Sequence, residues 1–267
     1  MFYEGREKRL EIITQGINLL DFPVDFWHAM VQQAGACILG EIKENNIKAF
    51  ILSESSLFIW ENKLLLITCG TTHLLEAAVY FKKTAPKNSI KALHFQRHQA
   101  NKPDAQKSTF TEDCAILQTL SPGNTLHWQD DYQGDIFRSN TYQPYNATTA
   151  ILMLNTLSSP FATRLQNNSV SSDEIEQHLD IKRCFKDFHI HQHSFQPKGY
   201  SINGICGEGY FTLHLSPESI ASYLSFESNL KSEIYRPFMQ HLRQLFNPQK
   251  AYLMSFDNSD VCLKVLK

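Results

Sequence analysis

The sequence predicts an α+β protein, with antiparallel sheets and helices packed on one face of them. Three observations carry that expectation. Short strand-like runs recur along the whole chain. Segments with apolar residues at helical spacing are interspersed among them. The mixture occurs in two halves, with no low-complexity linker between; Pro103-Asp-Ala-Gln-Lys-Ser and Leu165-Gln-Asn-Asn-Ser are loop-like but short. One domain is therefore expected.

Taken in order, Leu10–Leu20 and Val24–Ala36 have helical features, the second preceded by Asp21-Phe22-Pro23. Cys37–Ile42 and Ile47–Ser53 read as strands around the turn Glu44-Asn45-Asn46. Phe58–Trp60 and Leu64–Thr68 flank Glu61-Asn62-Lys63 as a hairpin. Thr72–Lys82 is helical by spacing, Ile90–Phe95 strand-like, and Thr111–Leu120 a helix that stops before Pro122-Gly123. Ala150–Leu154 is a short apolar strand. Ser171-x-x-Glu174 resembles a capping box opening a helix over Asp173–Leu179. Phe188–Phe195, Phe211–Leu215 and Ile220–Phe226 read as strands, Ser232–Phe246 as a helix, and Ala251–Phe256 and Val261–Val265 as closing strands.

At 267 residues the chain is long enough to bury a sizeable core. Apolar residues make up 42% and charged residues 19%, a globular composition. The formal net charge is −2, with Lys and Arg scattered, so no footprint for nucleic acid or an anionic membrane is visible. The first nine residues carry five charges, unlike a secretory signal, and no run of 18 apolar residues exists. Six widely spaced cysteines without a C-x-x-C are expected to be reduced thiols, and the cytoplasm is the expected location.

The stretch from Ala49 to Trp60, AFILSESSLFIW, reads as a buried strand interrupted by Ser53-Glu54-Ser55-Ser56. An unpaired buried carboxylate is costly, so Glu54 needs partners or a solvent-lined cleft. The plain reading is a strand end or bulge whose hydroxyls bond local backbone. A chemical reading needs helpers. Cys69 lies at a strand-to-helix corner, where helix amides can favour a thiolate; otherwise it is a small buried filler. Ser201 falls in Lys198-Gly-Tyr-Ser-Ile-Asn-Gly204, rich in turn formers and readable as an ordinary loop. His214 lies within a strand, where a lone histidine is more often structural.

Six segments, Glu4-Gly-Arg-Glu7-Lys8, Leu52-Ser-Glu-Ser-Ser-Leu-Phe58, Thr68-Cys-Gly-Thr-Thr72, Gly199-Tyr-Ser-Ile-Asn-Gly204, His214-Leu-Ser-Pro-Glu218 and Ser222-Tyr-Leu-Ser-Phe-Glu-Ser-Asn-Leu230, together resemble the S-adenosylmethionine decarboxylase proenzyme of the eukaryotic type. They are collinear and span most of the chain; 96–187 match only loosely. The resemblance implies a four-layer α/β/β/α sandwich: two antiparallel sheets, helices on the outer faces, and internal duplication. It implies self-cleavage of the Glu54–Ser55 bond into a β chain, 1–54, and an α chain, 55–267. Ser55 would become a pyruvoyl group, the cofactor, which forms a Schiff base with the substrate amine and takes up the electrons left as CO₂ departs. Ser201 would hydrogen-bond the cleavage intermediate, and His214 would take the α-proton of residue 55.

By the same resemblance Cys69 is the proton donor in turnover, and Glu4 and Glu7 are acidic residues needed for activity; on sequence alone both glutamates could be solvated helix-start carboxylates. Tyr3, where the family usually has phenylalanine, and Phe195 would stack on adenine. Glu218 would accept the ribose hydroxyls, and Glu54 would lie beside the adenine. On sequence alone Phe195 reads equally as a core-packing residue. The implied function is decarboxylation of S-adenosylmethionine to supply aminopropyl groups for spermidine. No metal, nucleic acid or membrane partner is implied, and a homodimer is left open.

Some features depart from the family. The Ser201–His214 loop is one residue shorter than usual, and the chain stops short of the final strand region of longer relatives. Many relatives bind putrescine in a buried charged network. Glu11 and Glu227 match its acidic members, but Ile67 stands where a lysine is usual and the mid-chain acidic pair has no match, so putrescine-independent activity is expected. Two other readings stay open: a pyruvoyl-dependent ornithine or arginine decarboxylase on the same scaffold, and an uncleaved regulatory subunit. His189, His191 and His193 fall on one face of a strand and could bind zinc, though histidine ladders also arise without metal. Gly204-Ile-Cys-Gly207-Glu-Gly209 lacks the ending of a phosphate loop and reads as a hairpin turn.

Overall fold

The structure, a computed structural model, describes residues 7–99, 103–128, 133–143, 149–196, 198–218, 221–257 and 260–266. The chain divides into two compact units, Met1–Gln143 and Pro144–Lys267.

The first unit runs β1 (Lys8–Thr14), α1 (Val24–Ala34), β2 (Ile38–Glu44), β3 (Ile47–Leu52), β4 (Ser55–Ile59), β5 (Lys63–Thr68), α2 (Leu74–Thr84), β6 (Ile90–His98), α3 (Phe110–Leu120), β7 (Gly123–Trp128) and β8 (Gly134–Ser139). Its eight strands form one sheet in the order β2-β3-β4-β5-β1-β6-β8-β7, antiparallel throughout. Leu10, Ile12, Leu57, Leu66 and Leu93 pack with Trp27, Met30, Leu74 and Phe81 of the helices in a single core. Arg9, Glu11, His94 and Gln96 alternate with that apolar set along β1 and β6 and are also buried.

The second unit runs β9 (Thr149–Leu157), α4 (Pro160–Gln166), α5 (Ser172–Leu179), α6 (Ile181–Cys184), β10 (His189–Ser194), β11 (Tyr200–Cys206), β12 (Gly209–Ser216), β13 (Tyr223–Ser228), α7 (Ser232–Phe246), β14 (Pro248–Asp257) and β15 (Asp260–Val265). Its sheet is ordered β10-β11-β12-β13-β9-β14-β15, again antiparallel. Leu152, Ile202, Leu213 and Phe226 pack with Leu179, Phe238 and Leu242.

Both units follow one plan. A first strand (β1 or β9) leads through helix to a four-strand meander. The meander returns so that its last strand pairs with the first, and a helix (α2 or α7) then leads to the strand on the other side, β6 or β14. This repeat is the internal duplication the resemblance implied, and two antiparallel sheets with helices meet the α+β expectation.

Four expectations are corrected. Residues 8–14 are strand, not the start of a helix: Arg9-Leu10-Glu11-Ile12 alternates, and β1 is hydrogen-bonded on both sides, to β5 and β6. Helix-like spacing continues only into a 3₁₀ turn, Leu19–Asp21, capped by Asn18, whose side chain accepts from the Leu20 amide at 2.9 Å. The Tyr200–Gly204 stretch is strand β11 rather than loop. Its mid-strand glycine answers a packing need, since a Cβ on Gly204 would come within 2.1 Å of the Phe211 ring. At Ser171 only half the capping box forms: the hydroxyl accepts from the Glu174 amide at 3.2 Å, while the Glu174 carboxylate binds Arg164. Finally, β7, β8, α4 and α6 had no counterpart in the sequence reading.

Candidate active site

The polar break in AFILSESSLFIW is a hairpin corner. β3 ends at Leu52 and β4 begins at Ser55, the two paired across the two-residue turn Ser53-Glu54. Ser53 ties the turn to the chain entering β2, donating its amide to the Cys37 carbonyl at 2.8 Å and accepting the Cys37 amide on its hydroxyl at 3.1 Å. Ser55 is buried and has φ of +140°, a region that L residues enter only under strain.

The peptide carbonyl joining Glu54 to Ser55 is held from one side by Cys69. The Cys69 amide donates to the Glu54 carbonyl oxygen at 3.0 Å and the thiol donates to the same oxygen at 3.4 Å. The thiol also lies 3.9 Å from Glu54 Oε2. Cys69 lies in the strand-to-helix connection as expected, but α2 begins only at Leu74, and the thiol faces Glu54. Gly70 makes the corner possible. It has φ of +67°, and a Cβ there would stand 3.4 Å from Glu54 Oε2.

Side chains brace the corner. Lys8 Nζ donates to the Gly70 carbonyl at 3.1 Å and the Thr72 carbonyl at 2.6 Å. The Thr72 hydroxyl donates to the Cys69 carbonyl at 2.8 Å and lies 2.7 Å from that of Thr68. Burial, then the charge of Arg97, lowers the Lys8 pKa to about 8. Glu7 precedes β1, where its carbonyl accepts from His98 at 3.5 Å; it starts a strand, not a helix. Tyr3 and Glu4 lie outside the described residues.

In the second unit Ser201 on β11 and His214 on β12 are register partners, with Ser201 Oγ 2.8 Å from His214 Nδ1. Thr212 Oγ1 lies 2.8 Å from His214 Nε2 and donates to Asn203 Oδ1 at 2.8 Å. All four residues are buried, and burial lowers the His214 pKa to about 3, so the ring is neutral near pH 7. Phe195, just past β10, is half-buried; its amide donates to the Gly199 carbonyl at 3.0 Å and its ring meets His193 edge-on at 4.7 Å. Glu218, two residues past β12, is half-buried.

Glu11 lies in a separate buried cluster of the first unit. Its carboxylate is 3.3 Å from Arg9 Nη2 and accepts from the Tyr142 hydroxyl at 2.9 Å. Burial pushes this carboxyl up, but Lys63, Arg9 and the Tyr142 hydrogen bond outweigh it and hold the pKa below the usual value. In the second unit Glu227 accepts from the Tyr210 hydroxyl. Among the described residues no group of three His, Cys, Asp or Glu could hold a metal ion, His189, His191 and His193 included. No described helix is long and apolar enough to cross a membrane, and none of the six cysteines is in a disulfide.

The sequence reading missed Lys8, Arg9, Tyr142, Asn203 and Thr212. For the last two a signal existed: they sit two residues from Ser201 and His214 on adjacent strands, hence on the same face. Lys8 and Tyr142 reach residues distant in sequence and left no local mark.

Residues 1–265 match the family model described as adenosylmethionine decarboxylase. The chain belongs to the adenosylmethionine decarboxylase family. That membership makes it a decarboxylase-family enzyme, as the six motifs implied. Among relatives of this family member, the S-adenosylmethionine decarboxylase proenzyme of Xenopus laevis is 27% identical over 96% of this chain and 84% of its own length. That of Drosophila melanogaster is 28% identical over 96% and 83%. That of Dictyostelium discoideum is 25% identical over 92% and 72%. A solved structure, the Trypanosoma brucei AdoMetDC-delta26 monomer, superposes with a TM-score of 0.57 at 20% identity, covering 74% of this chain and 78% of that one; the likeness is one of fold.

Proposed function

We propose that this protein is a self-cleaving proenzyme that decarboxylates S-adenosylmethionine, supplying the aminopropyl donor for spermidine synthesis. The observation that carries the reading is the Glu54–Ser55 peptide. Its carbonyl oxygen accepts two donors from Cys69, and the residue that follows is a buried serine with a strained φ of +140°. Shifting an acyl group from nitrogen to a serine oxygen is uphill for an ordinary peptide. Backbone strain and donors aimed at the carbonyl oxygen both lower that barrier.

In the proposed cleavage Ser55 Oγ attacks the Glu54 carbonyl carbon. The C–N bond breaks, the nitrogen takes a proton, and an ester links Glu54 to the Ser55 oxygen. His214, neutral and hydrogen-bonded to Ser201, is the base that removes the α-proton of residue 55. The Cβ–Oγ bond of residue 55 then breaks, so that Oγ leaves with the Glu54 carboxylate and a dehydroalanine remains, which water converts to a pyruvoyl group and ammonia. Position 55 fits such a group: a serine at a strained corner, with donors fixed by the backbone. The pyruvoyl group supplies an electrophilic carbonyl and an electron sink that no ordinary side chain offers.

The remaining roles belong to this chain's own residues. Cys69, a thiol donor beside Glu54, is assigned proton delivery to the decarboxylated substrate. Lys8 holds the corner that carries it. Phe195 with Tyr3 is assigned the adenine, Glu218 the ribose hydroxyls, Glu54 a place beside the adenine, and Glu4 and Glu7 supporting acidic roles. The Glu11 cluster supports putrescine independence, because Arg9 already supplies a cation to that carboxylate.

Release of CO₂ from carboxyl-labelled substrates tests the reading. S-adenosylmethionine should be turned over, ornithine and arginine should not, and putrescine should leave the rate unchanged. Release from either amino acid alone would move the assignment to the alternative decarboxylase, and a several-fold rise with putrescine would overturn the reading of the Glu11 cluster.

A further inference from the structure

With the Asn203 amide turned so that its oxygen faces Thr212, a count of hydroxyl protons assigns which nitrogen of His214 carries hydrogen. Thr212 has one hydroxyl proton and gives it to Asn203 Oδ1 at 2.8 Å. Toward His214 Nε2, also at 2.8 Å, the same oxygen can only accept. Nε2 therefore bears the hydrogen. A buried neutral ring has one N–H, so Nδ1 carries the lone pair, and Ser201, 2.8 Å away, donates to it. We infer that Thr212 and Asn203 are positioning residues that lock the His214 imidazole as its Nε2–H tautomer, with the Nδ1 lone pair against the Ser201 hydroxyl.

The placement is built into the sheet. Ser201 pairs with His214 and Asn203 with Thr212 across β11 and β12. The four side chains share one face of two paired strands, and none is more than 6% exposed. Strands hold such a relay more tightly than loops can.

One consequence rests on the proposed self-cleavage. Ser201 also has a single proton, engaged by Nδ1 in the resting chain. Turning that hydroxyl toward a negatively charged oxygen stabilises the anion and, in the same motion, exposes the Nδ1 lone pair for the α-proton of residue 55. With the other tautomer Nδ1 would already be protonated and could not act as the base. Thr212 and Asn203 would thus gate elimination without touching the reacting atoms.

The test is nitrogen NMR of ¹⁵N-histidine-labelled Ser55→Ala chain, in which cleavage plays no part, with the His214 signals assigned by their loss in a His214→Gln chain. The expected spectrum shows His214 protonated at Nε2 alone near pH 7. In the otherwise wild-type chain, Thr212→Val should shift the ring toward the Nδ1–H form and slow cleavage ~10²-fold or more, as a wrong tautomer does elsewhere. Thr212→Ser should restore both. A ring protonated at Nδ1, or a Thr212→Val chain that keeps the Nε2–H signal and cleaves at the wild-type rate, overturns the inference. Should Thr212→Val fail to fold, the Ser55→Ala spectrum decides by itself. If the wild-type chain never cleaves, the proposed function falls while the tautomer remains measured.

Discussion

At Ser55 the side chain to which the proposed cleavage belongs sits on a backbone that glycine would prefer. A φ of +140° at a residue with a Cβ stores ~1–3 kcal/mol. Two uncleavable substitutions separate that strain from the chemistry: Ser55→Ala keeps the Cβ and Ser55→Gly removes it. The glycine chain should be the more stable by ~1–2 kcal/mol, read as a higher midpoint in thermal unfolding; equal midpoints would mean the backbone is relaxed. His214 makes the opposite trade, burying a titratable ring in neutral form. The unfolded chain protonates this residue near pH 6.5, the folded chain only near pH 3. Between those values the unfolded state binds the extra proton, so stability falls as the pH is lowered, by up to about 1.4 kcal/mol per unit from this group. Denaturant unfolding between pH 6.5 and 4 should therefore show a shallower loss for His214→Gln than for the wild type. Parallel curves would show that the ring is protonated in the folded state too.

At the scale of elements, hairpin corners and strand faces set the chemistry. The β3–β4 corner presents the Glu54–Ser55 peptide, the turn after β5 presents Cys69, and paired β11 and β12 present Ser201 and His214. Close strand packing in the second unit depends on Gly204, whose missing Cβ leaves room for Phe211. Gly204→Ala should cost ~1–3 kcal/mol through overpacking and, because Asn203 and Thr212 are next to it in the ladder, should slow cleavage as well. An alanine chain of wild-type stability would contradict this packing. Strands with clear apolar runs were legible beforehand, as was α7, whose bounds of Ser232–Phe246 agree with the sequence reading. β7 was not legible because it is an exposed edge strand with no apolar alternation. β1 was misread because Leu10, Ile13, Ile17 and Leu20 also fit helical spacing; what makes it a strand is pairing with partners 50 or more residues away.

For the whole molecule, composition and periodicity alone reach only α+β. The family became legible through short collinear motifs, and those motifs lie where geometry constrains residue type most: the Ser53-Glu54 turn, the positive-φ Gly70, the Ser201–His214 pair. The braces behind them, Lys8 and Tyr142, are set by long-range contacts that no local pattern records. The repeated strand order shows one plan used twice with different polar residues on it, a strained Glu54–Ser55 peptide in the first unit and a buried neutral histidine in the second. The central claim is that this chain opens its own backbone at Ser55, and intact mass of the purified protein tests it most directly. The account predicts two chains, residues 1–54 and 55–267, the second lighter than its sequence by the conversion of serine to pyruvoyl, with Ser55→Ala left as one chain. Wild-type protein that keeps the mass of a single unbroken 267-residue chain would contradict it.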